Sequence, residues 1–277
     1  MLAEIEANRG AIEGGAGREE IRRIMPPGGA RNAIDCALWE LEAAQAGQPV
    51  WRLAGIDPPH PLVTSFTLSA DDPAVMAEAA LGHAAASAIK VKLTGDLDLD
   101  LERVRAVRSA RPDAWLGVDA NQGFERPELE RLAVALAELR VSLLEQPLAR
   151  GREADLEGYR SPLPIAADES ALSLADLPGL VGRFDVVNIK LDKCGGLTEG
   201  LAMAAEARRL GLAVMVGNMI GTSLAMAPAF ILGQLCDFVD LDGPSFLAED
   251  REPGVTYRNG RIDCGGDVWG AGWKAAA

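Results

Sequence analysis

WLGVDAN (residues 115–121), VSLLEQP (141–147) and PIAADES (164–170) are three successive apolar runs, each ending in an acid: Asp119, Glu145 and Asp168. Short apolar runs bounded by turn-forming residues suit strands buried on both faces, as in a parallel sheet. Carboxylates at the carboxyl ends of consecutive parallel strands converge on one point. A single acid in that place commonly caps the next helix or forms a surface ion pair. Three in consecutive units describe instead an all-oxygen site for a hard divalent cation, Mg²⁺ or Mn²⁺ before zinc.

Outward from this centre the pattern repeats in element order. Strand-like runs recur at LVTSFTL, AIKVKL, WLGVDA, VSLLEQ, LPIAAD, DVVNIKL, LAVMVGN and FVDLDG. Their spacing of roughly 22–26 residues suits a strand, a short loop and a helix of about three turns. PAVMAEAALGHAAASA (73–88) and LTEGLAMAAEARRLG (197–211) are helical patterns, the second ending at Gly211 as a C-cap would. Eight strands alternating with helices close most simply into a parallel β/α barrel, expected over residues 61–245. A doubly wound open sheet is the weaker alternative, because no Gly-rich nucleotide fingerprint is present.

Residues 1–60 read differently. REEIRRIMPP (18–27) and ARNAIDCALWELEAAQAG (30–47) form two helices parted by Pro26-Pro27-Gly28-Gly29, and Ile34, Ala37, Leu38, Leu41 and Ala44 make an apolar stripe on the second. In the tail, residues 246–277, VTYRNGRID holds Asn259-Gly260, a type I′ hairpin signal. The two end segments are expected to pack together outside the barrel.

Composition narrows the function. The chain has 277 residues, 48% hydrophobic and 25% charged, which is ordinary for a soluble globular protein. A net charge of −14 argues against nucleic acid or an anionic membrane as partner. Cys36, Cys194, Cys236 and Cys264 are scattered with no CxxC pair, which suits reduced thiols in the cytoplasm. MLAEIEANRGAIEGG has no apolar h-region, and no run reaches the length of a membrane span.

Lysines flank the acidic trio. Lys90 and Lys92 are two apart and share a strand face, where mutual repulsion and partial burial should lower a lysine pKa. Lys190 ends the sixth strand, opposite the second in an eight-strand circle. Lys193, beside Gly195-Gly196, reads as a loop or helix-start residue. A base on each side of one carbon is what racemisation or epimerisation needs, with a metal to stabilise the enediolate. His60 and His83 read as structural, so a Ser-His-Asp hydrolase has no support. Asp240 and Asp242 project to one side, and suit equally a substrate ammonium group or a loop-start acid pair bonded to backbone N–H groups.

KVK (90–92), VDAN (118–121), EQP (145–147), ADES (167–170), NIKLDKCGGLTE (188–199), GNMIGTS (217–223) and DLDGP (240–244), in this order, resemble the enolase superfamily. Within it the chain is similar to the muconate lactonising enzyme subgroup, and most to its L-Ala-D/L-Glu dipeptide epimerases, over about Ala30 to Trp273. The resemblance implies a (β/α)₇β barrel under an N-terminal α+β cap. It implies Asp119, Glu145 and Asp168 as Mg²⁺ ligands, Lys92 and Lys190 as acid/base catalysts, and Lys90 as a charge partner of the substrate carboxylate; a lysine base with Mg²⁺ is a pattern already described for this superfamily. Asp240 and Asp242 would hold the dipeptide's free ammonium group, and Thr67, Met219 and Gly221 would line the pocket. Cell-wall peptide recycling is the implied context.

N-acylamino acid racemases and o-succinylbenzoate synthases are similar at the metal and lysine positions and remain enzyme alternatives. Only the helical part of the cap is recognisable in residues 1–60, so a shortened cap is expected. That keeps an inactive barrel as the non-enzyme alternative, and keeps self-association through apolar cap surface open.

Overall fold

The computed structural model describes residues 1–272; Trp273 and the remainder of the expected C-terminal segment lie outside the described residues. The first strand-like run splits in two, into β1 (Leu62–Val63) and β2 (Phe66–Leu68). β2 is followed by β3 (Ala88–Lys92), β4 (Trp115–Asp119), β5 (Leu143–Glu145), β6 (Ile165–Ala167), β7 (Val186–Ile189), β8 (Ala213–Val216) and β9 (Phe238–Val239). β2 to β9 pair in sequence order, all parallel. The circle returns on itself where the Ser65 amide donates to Val239 O at 3.0 Å. This is the expected barrel.

Register sorts the side chains into layers. Lys90 pairs with Gly117, and Gly117 with Leu143; one step on, Lys92 pairs with Asp119, and Asp119 with Glu145. Alternation along each strand then places Trp115, Gly117 and Asp119 on one inward face. Leu143, Ala166, Val186 and Met215 are buried together at the amino end, with Trp115, Ala213 and Phe238 packed against them. Gly117 makes room for this plug, since a Cβ there would lie 2.8 Å from the Trp115 ring. Outward residues such as Ile89, Leu116, Val118, Leu144 and Val187 join the large core under the helices.

Polar residues at the loop ends start the helices. Asp72 caps α6 (Pro73–Gly82) by accepting from the Ala74 amide at 2.9 Å, with Pro73 in the first turn. Asp96 caps α7 (Leu97–Ala110), and a Glu125–Glu128 capping box opens α8 (Arg126–Glu138). The next two connections depart from the expected three-turn helices. Only 3₁₀ turns, Glu153–Leu156 and Leu174–Leu180, span β5 to β6 and β6 to β7. Gly151, Gly158, Pro178, Gly179 and Gly182 break any longer helical run there. A short α-helix (Leu191–Cys194) and a longer one (Leu197–Arg209) follow β7, and a third (Ser223–Gly233) follows β8.

The chain begins with α1 (Leu2–Ala7), α2 (Arg9–Glu13), α3 (Arg18–Ile24), α4 (Gly29–Ala46) and α5 (Val50–Leu53). With α6 to α8 above, the three helices after β7 and β8 are accordingly α9, α10 and α11. The expected stripe on α4 is corrected: Leu41 and Ala37 are exposed, while Arg31, Asp35, Trp39 and Ala43 face inward. The reason is polar: Arg31 and Asp35 meet backbone groups of the barrel, and Ile34 and Leu38 pack sideways against Ile21 and Met25. The Asn259-Gly260 hairpin forms as expected between β10 (Thr256–Arg258) and β11 (Arg261–Asp263), with both turn residues at positive φ. β11 also pairs with β1. The Val50 amide donates to Gly270 O at 2.9 Å, which ties the two end segments together. No helix among the described residues is long and apolar enough to cross a membrane.

Candidate active site

At the carboxyl end of the barrel, strand register alone brings the acids together. Asp119, Glu145 and Asp168 offer carboxylate oxygens all within 4.8 Å of one another, and the three residues are at most 3% exposed. Lys90, between them, lies 3.2 Å from Asp119 Oδ2, 2.7 Å from Glu145 Oε2 and 2.8 Å from Asp240 Oδ2. Lys92 Nζ donates to Asp119 Oδ2 at 2.6 Å. Across the barrel, Lys190 Nζ donates to Asp168 Oδ2 at 2.7 Å, and Lys193 donates to the Asp168 carboxylate and carbonyl.

Charge balance at this end is set by neighbours. Burial and the Asp119 charge push Glu145 up to about 7. Burial would raise Asp168 too, but Lys193 and Lys190 outweigh it and hold its carboxyl below the usual range. The expectation that a crowded lysine pKa falls is corrected for Lys90. Burial alone would lower it, yet Asp240, Glu145, Asp119 and Asp168 overcome burial and hold its ammonium well above the ordinary value. Lys190 is raised in the same way, against burial, by Asp168.

The donor set fits a divalent cation. Asp119, Glu145, Asp168, Glu169, Asp240 and Asp242 surround Lys90, Lys92, Lys190 and Lys193, so two negative charges are left over. Glu169 Oε2 and Asn188 Oδ1 are buried oxygens with no hydrogen-bond partner, one beside Asp168 in sequence and one on the residue that donates to Glu145. An oxygen-only cluster of this kind suits a hard ion.

A cavity of about 430 Å³ opens above the acids, and Thr67, Lys92, Lys190, Met219, Asp240 and Asp242 are part of its wall. Gly221, next in the chain, is not part of that wall, whose side here is formed by Asn218, Met219 and Ile220. Asp240 accepts from Ser65 Oγ at 2.7 Å as well as from Lys90. Asp242 accepts from the Thr67 amide at 2.6 Å, and burial with the Asp240 charge pushes it up to about 6. A larger cavity of about 550 Å³, by Arg150, Glu153 and Arg183, is an open cleft outside the barrel mouth and does not reach the acid trio. Phe66 stacks on His83 at 5.2 Å and His60 bonds Gln234, so both histidines stand outside the cavity wall.

Sequence reading missed several residues here. Lys193, expected in a loop or at a helix start, lies in α9, and its contact with Asp168 is what the sequence does not announce. Asn188 on β7, whose Nδ2 donates to Glu145 at 2.8 Å, lies two residues before Lys190 at the strand's end, and that spacing was a usable signal. Gln146 Oε1 accepts from the Asp168 and Ser170 amides at 2.9 and 3.1 Å, clasping two strand ends; it has positive φ, and nothing in its sequence marks this role.

Comparison with known proteins agrees with this arrangement. Residues 74–267 match the family model described as enolase C-terminal domain-like, and residues 9–55 the mandelate racemase/muconate lactonizing enzyme N-terminal domain. The chain is 45% identical over 264 residues to the L-Ala-D/L-Glu epimerase of Escherichia coli K12, covering 95% of this chain and 82% of that one. It is 42% identical to an N-acetyl-D-glutamate racemase of a Pseudoalteromonas species, over 88% of this chain and 76% of the other. An Agrobacterium tumefaciens enolase family member with homology to dipeptide epimerases, solved with sodium and L-Ala-L-Glu, superposes with a TM-score of 0.91 at 45% identity, over 97% and 82% of the two chains. A Methylococcus capsulatus dipeptide epimerase solved with Mg and L-Arg-D-Lys gives 0.83 at 33% identity, over 88% and 73%. Barrel, acid trio and matches together make the chain a member of the mandelate racemase/muconate lactonizing enzyme family within the enolase superfamily.

Proposed function

We propose that this chain is a Mg²⁺-dependent epimerase of dipeptides, with L-Ala-D/L-Glu as lead substrate. The observation that carries the reading is the placement of Lys92 on β3 and Lys190 after β7, on opposite sides of one buried acid trio. In this reading Asp119, Glu145 and Asp168 hold the metal. Bound Mg²⁺ supplies positive charge beside the substrate carboxylate, which lowers the cost of the negative charge that builds as the α-proton leaves. Lys92 and Lys190 face opposite sides of the α-carbon: one takes the α-proton from its face, the other, as an ammonium group, delivers a proton to the opposite face, and the roles exchange in the reverse direction. Lys90, shared by three acids, adds positive charge at the same carboxylate. Thr67 and Met219 bound the substrate.

Asp240 and Asp242 are assigned to the dipeptide's free ammonium group. Asp240 is largely spoken for by Lys90 and Ser65, so Asp242, displaced upward in pKa and with one oxygen bonded to Thr67, is the stronger partner. Four thiols, none in a disulfide, suit a reducing cytoplasm, and salvage of cell-wall peptides is the proposed setting. Racemisation of N-acylamino acids is the second reading, favoured by the racemase at 42% identity. Turnover of L-Ala-L-Glu and N-acetyl-L-glutamate, each with Mg²⁺, separates them. The dipeptide should be preferred, and Asp242→Asn should cost it about 2–5 kcal/mol in kcat/KM while sparing the N-acyl substrate. Preference for the N-acyl compound would overturn the dipeptide assignment.

A further inference from the structure

Helix α4 buries a guanidinium and a carboxylate, Arg31 and Asp35, that the proposed chemistry does not use. Buried charges are costly unless their hydrogen bonds are met. Both are met largely by one stretch of barrel backbone. Arg31 Nε donates to Gly195 O at 3.2 Å and its Nη2 donates to Cys194 O, while Nη1 reaches Arg22 O at 2.8 Å and Met25 O at 3.2 Å. Asp35 Oδ2 accepts from the Thr198 amide at 3.0 Å. Those groups are the last carbonyls of α9 and an early amide of α10, which helices leave without internal partners. Gly195 (φ 85°) and Gly196 (φ 121°) permit the approach, because a Cβ on either would collide with Arg31 or Asp35.

The other end of that turn is Lys190. Its carbonyl accepts from the Lys193 and Cys194 amides at 2.9 and 3.0 Å, so a single helical turn separates the lysine from the gripped backbone. We propose that Arg31 and Asp35 are positioning residues for Lys190: by clamping the backbone from Cys194 to Thr198 from the cap side, they fix where its ammonium group meets the substrate α-carbon. The inference rests on the two-lysine reading of the site. Lys92 stands on β3 and hydrogen-bonds Asp119, with no hydrogen bond to α4 among the described residues. Loss of the clamp therefore acts on one lysine of the pair.

That one-sidedness is the test. Initial α-proton exchange is measured in D₂O with Mg²⁺, separately for L-Ala-L-Glu and L-Ala-D-Glu, and Lys190→Ala identifies the epimer whose exchange depends on Lys190. Asp35→Ala and Arg31→Lys should lower exchange of that epimer about tenfold or more relative to the other, since a misplacement of about 1 Å can cost about 10²-fold. Asp35→Asn, whose amide oxygen still accepts from Thr198, should restore it. Equal loss for both epimers, or none, overturns the proposal, as general destabilisation would act on both alike. Should Arg31→Lys not fold, the two Asp35 variants decide. If the parent chain exchanges neither epimer, the dipeptide reading fails, and backbone amide hydrogen exchange decides the clamp by itself. Faster exchange across residues 195–198 in Asp35→Ala supports it; unchanged protection overturns it.

Discussion

At the amino end of the barrel Trp115, Leu143, Val186 and Phe238 close the interior with apolar side chains. Two or four residues further along the same strands, Glu145, Asp240, Asp119 and Lys190 fill it with charge. One strand thus carries both a plug and a ligand, separated only by its period of two. The plug carries no charge and is free to be chosen for packing. The charged end is the reverse: burial and the neighbouring Asp119 push Glu145 up to about 7, while lysines lower it again in part. Stability and chemistry are therefore separable along the barrel axis, which single substitutions can test.

Lys190→Ala should break the comparison most sharply at the charged end. General acid–base loss predicts epimerisation reduced by about 10²–10⁴-fold, with thermal unfolding by circular dichroism changed little. Leu143→Ala, on the same inward face as Glu145 and 1% exposed, should do the opposite. It should cost about 2–5 kcal/mol of stability in denaturant unfolding, while activity of the folded fraction stays within a few-fold. Mg²⁺ should raise Tm, by about 2.7 kcal/mol of stability at a hundredfold excess over Kd, and Asp119→Asn should remove that gain.

The smallest expected effect is in the pH dependence with Mg²⁺ chelated. Glu145 sits at about 7 in the folded chain against an ordinary 4.5, so between those values the folded state binds more protons than the unfolded state. Its contribution to stability must then fall as pH rises through that window. Asp168, held low by Lys193 and Lys190 against burial, works the other way: its contribution is present above its ordinary pKa and is lost as pH falls. Comparing Tm of Glu145→Gln with the parent isolates the first effect. The difference should move in favour of the variant from about pH 4.5 to about pH 7, and a difference independent of pH would contradict the assignment.

The barrel was legible because its strands are short apolar runs at even spacing, and the acid trio because each acid ends such a run. Local sequence failed where backbone partners decide the outcome. The face that α4 buries is set by Cys194, Gly195 and Thr198, about 160 residues away, so no periodicity within α4 could show it. Lys193 and Gln146 likewise owe their places to a turn and a positive φ that residue type alone does not announce. The connections after β5 and β6 were expected as helices from spacing alone, although the glycines at 151, 158, 179 and 182 and Pro178 already argued for shorter turns.

The central claim is that Lys92 and Lys190 move a proton across one carbon held at the charged end of the barrel. Proton NMR of the chain with Mg²⁺ and L-Ala-L-Glu in D₂O tests it most directly. Loss of the glutamate α-proton signal with appearance of the D epimer, the epimer absent in either Lys92→Ala or Lys190→Ala, is the predicted result. An unchanged α-proton signal in the parent chain, or epimerisation that survives both substitutions, would contradict it.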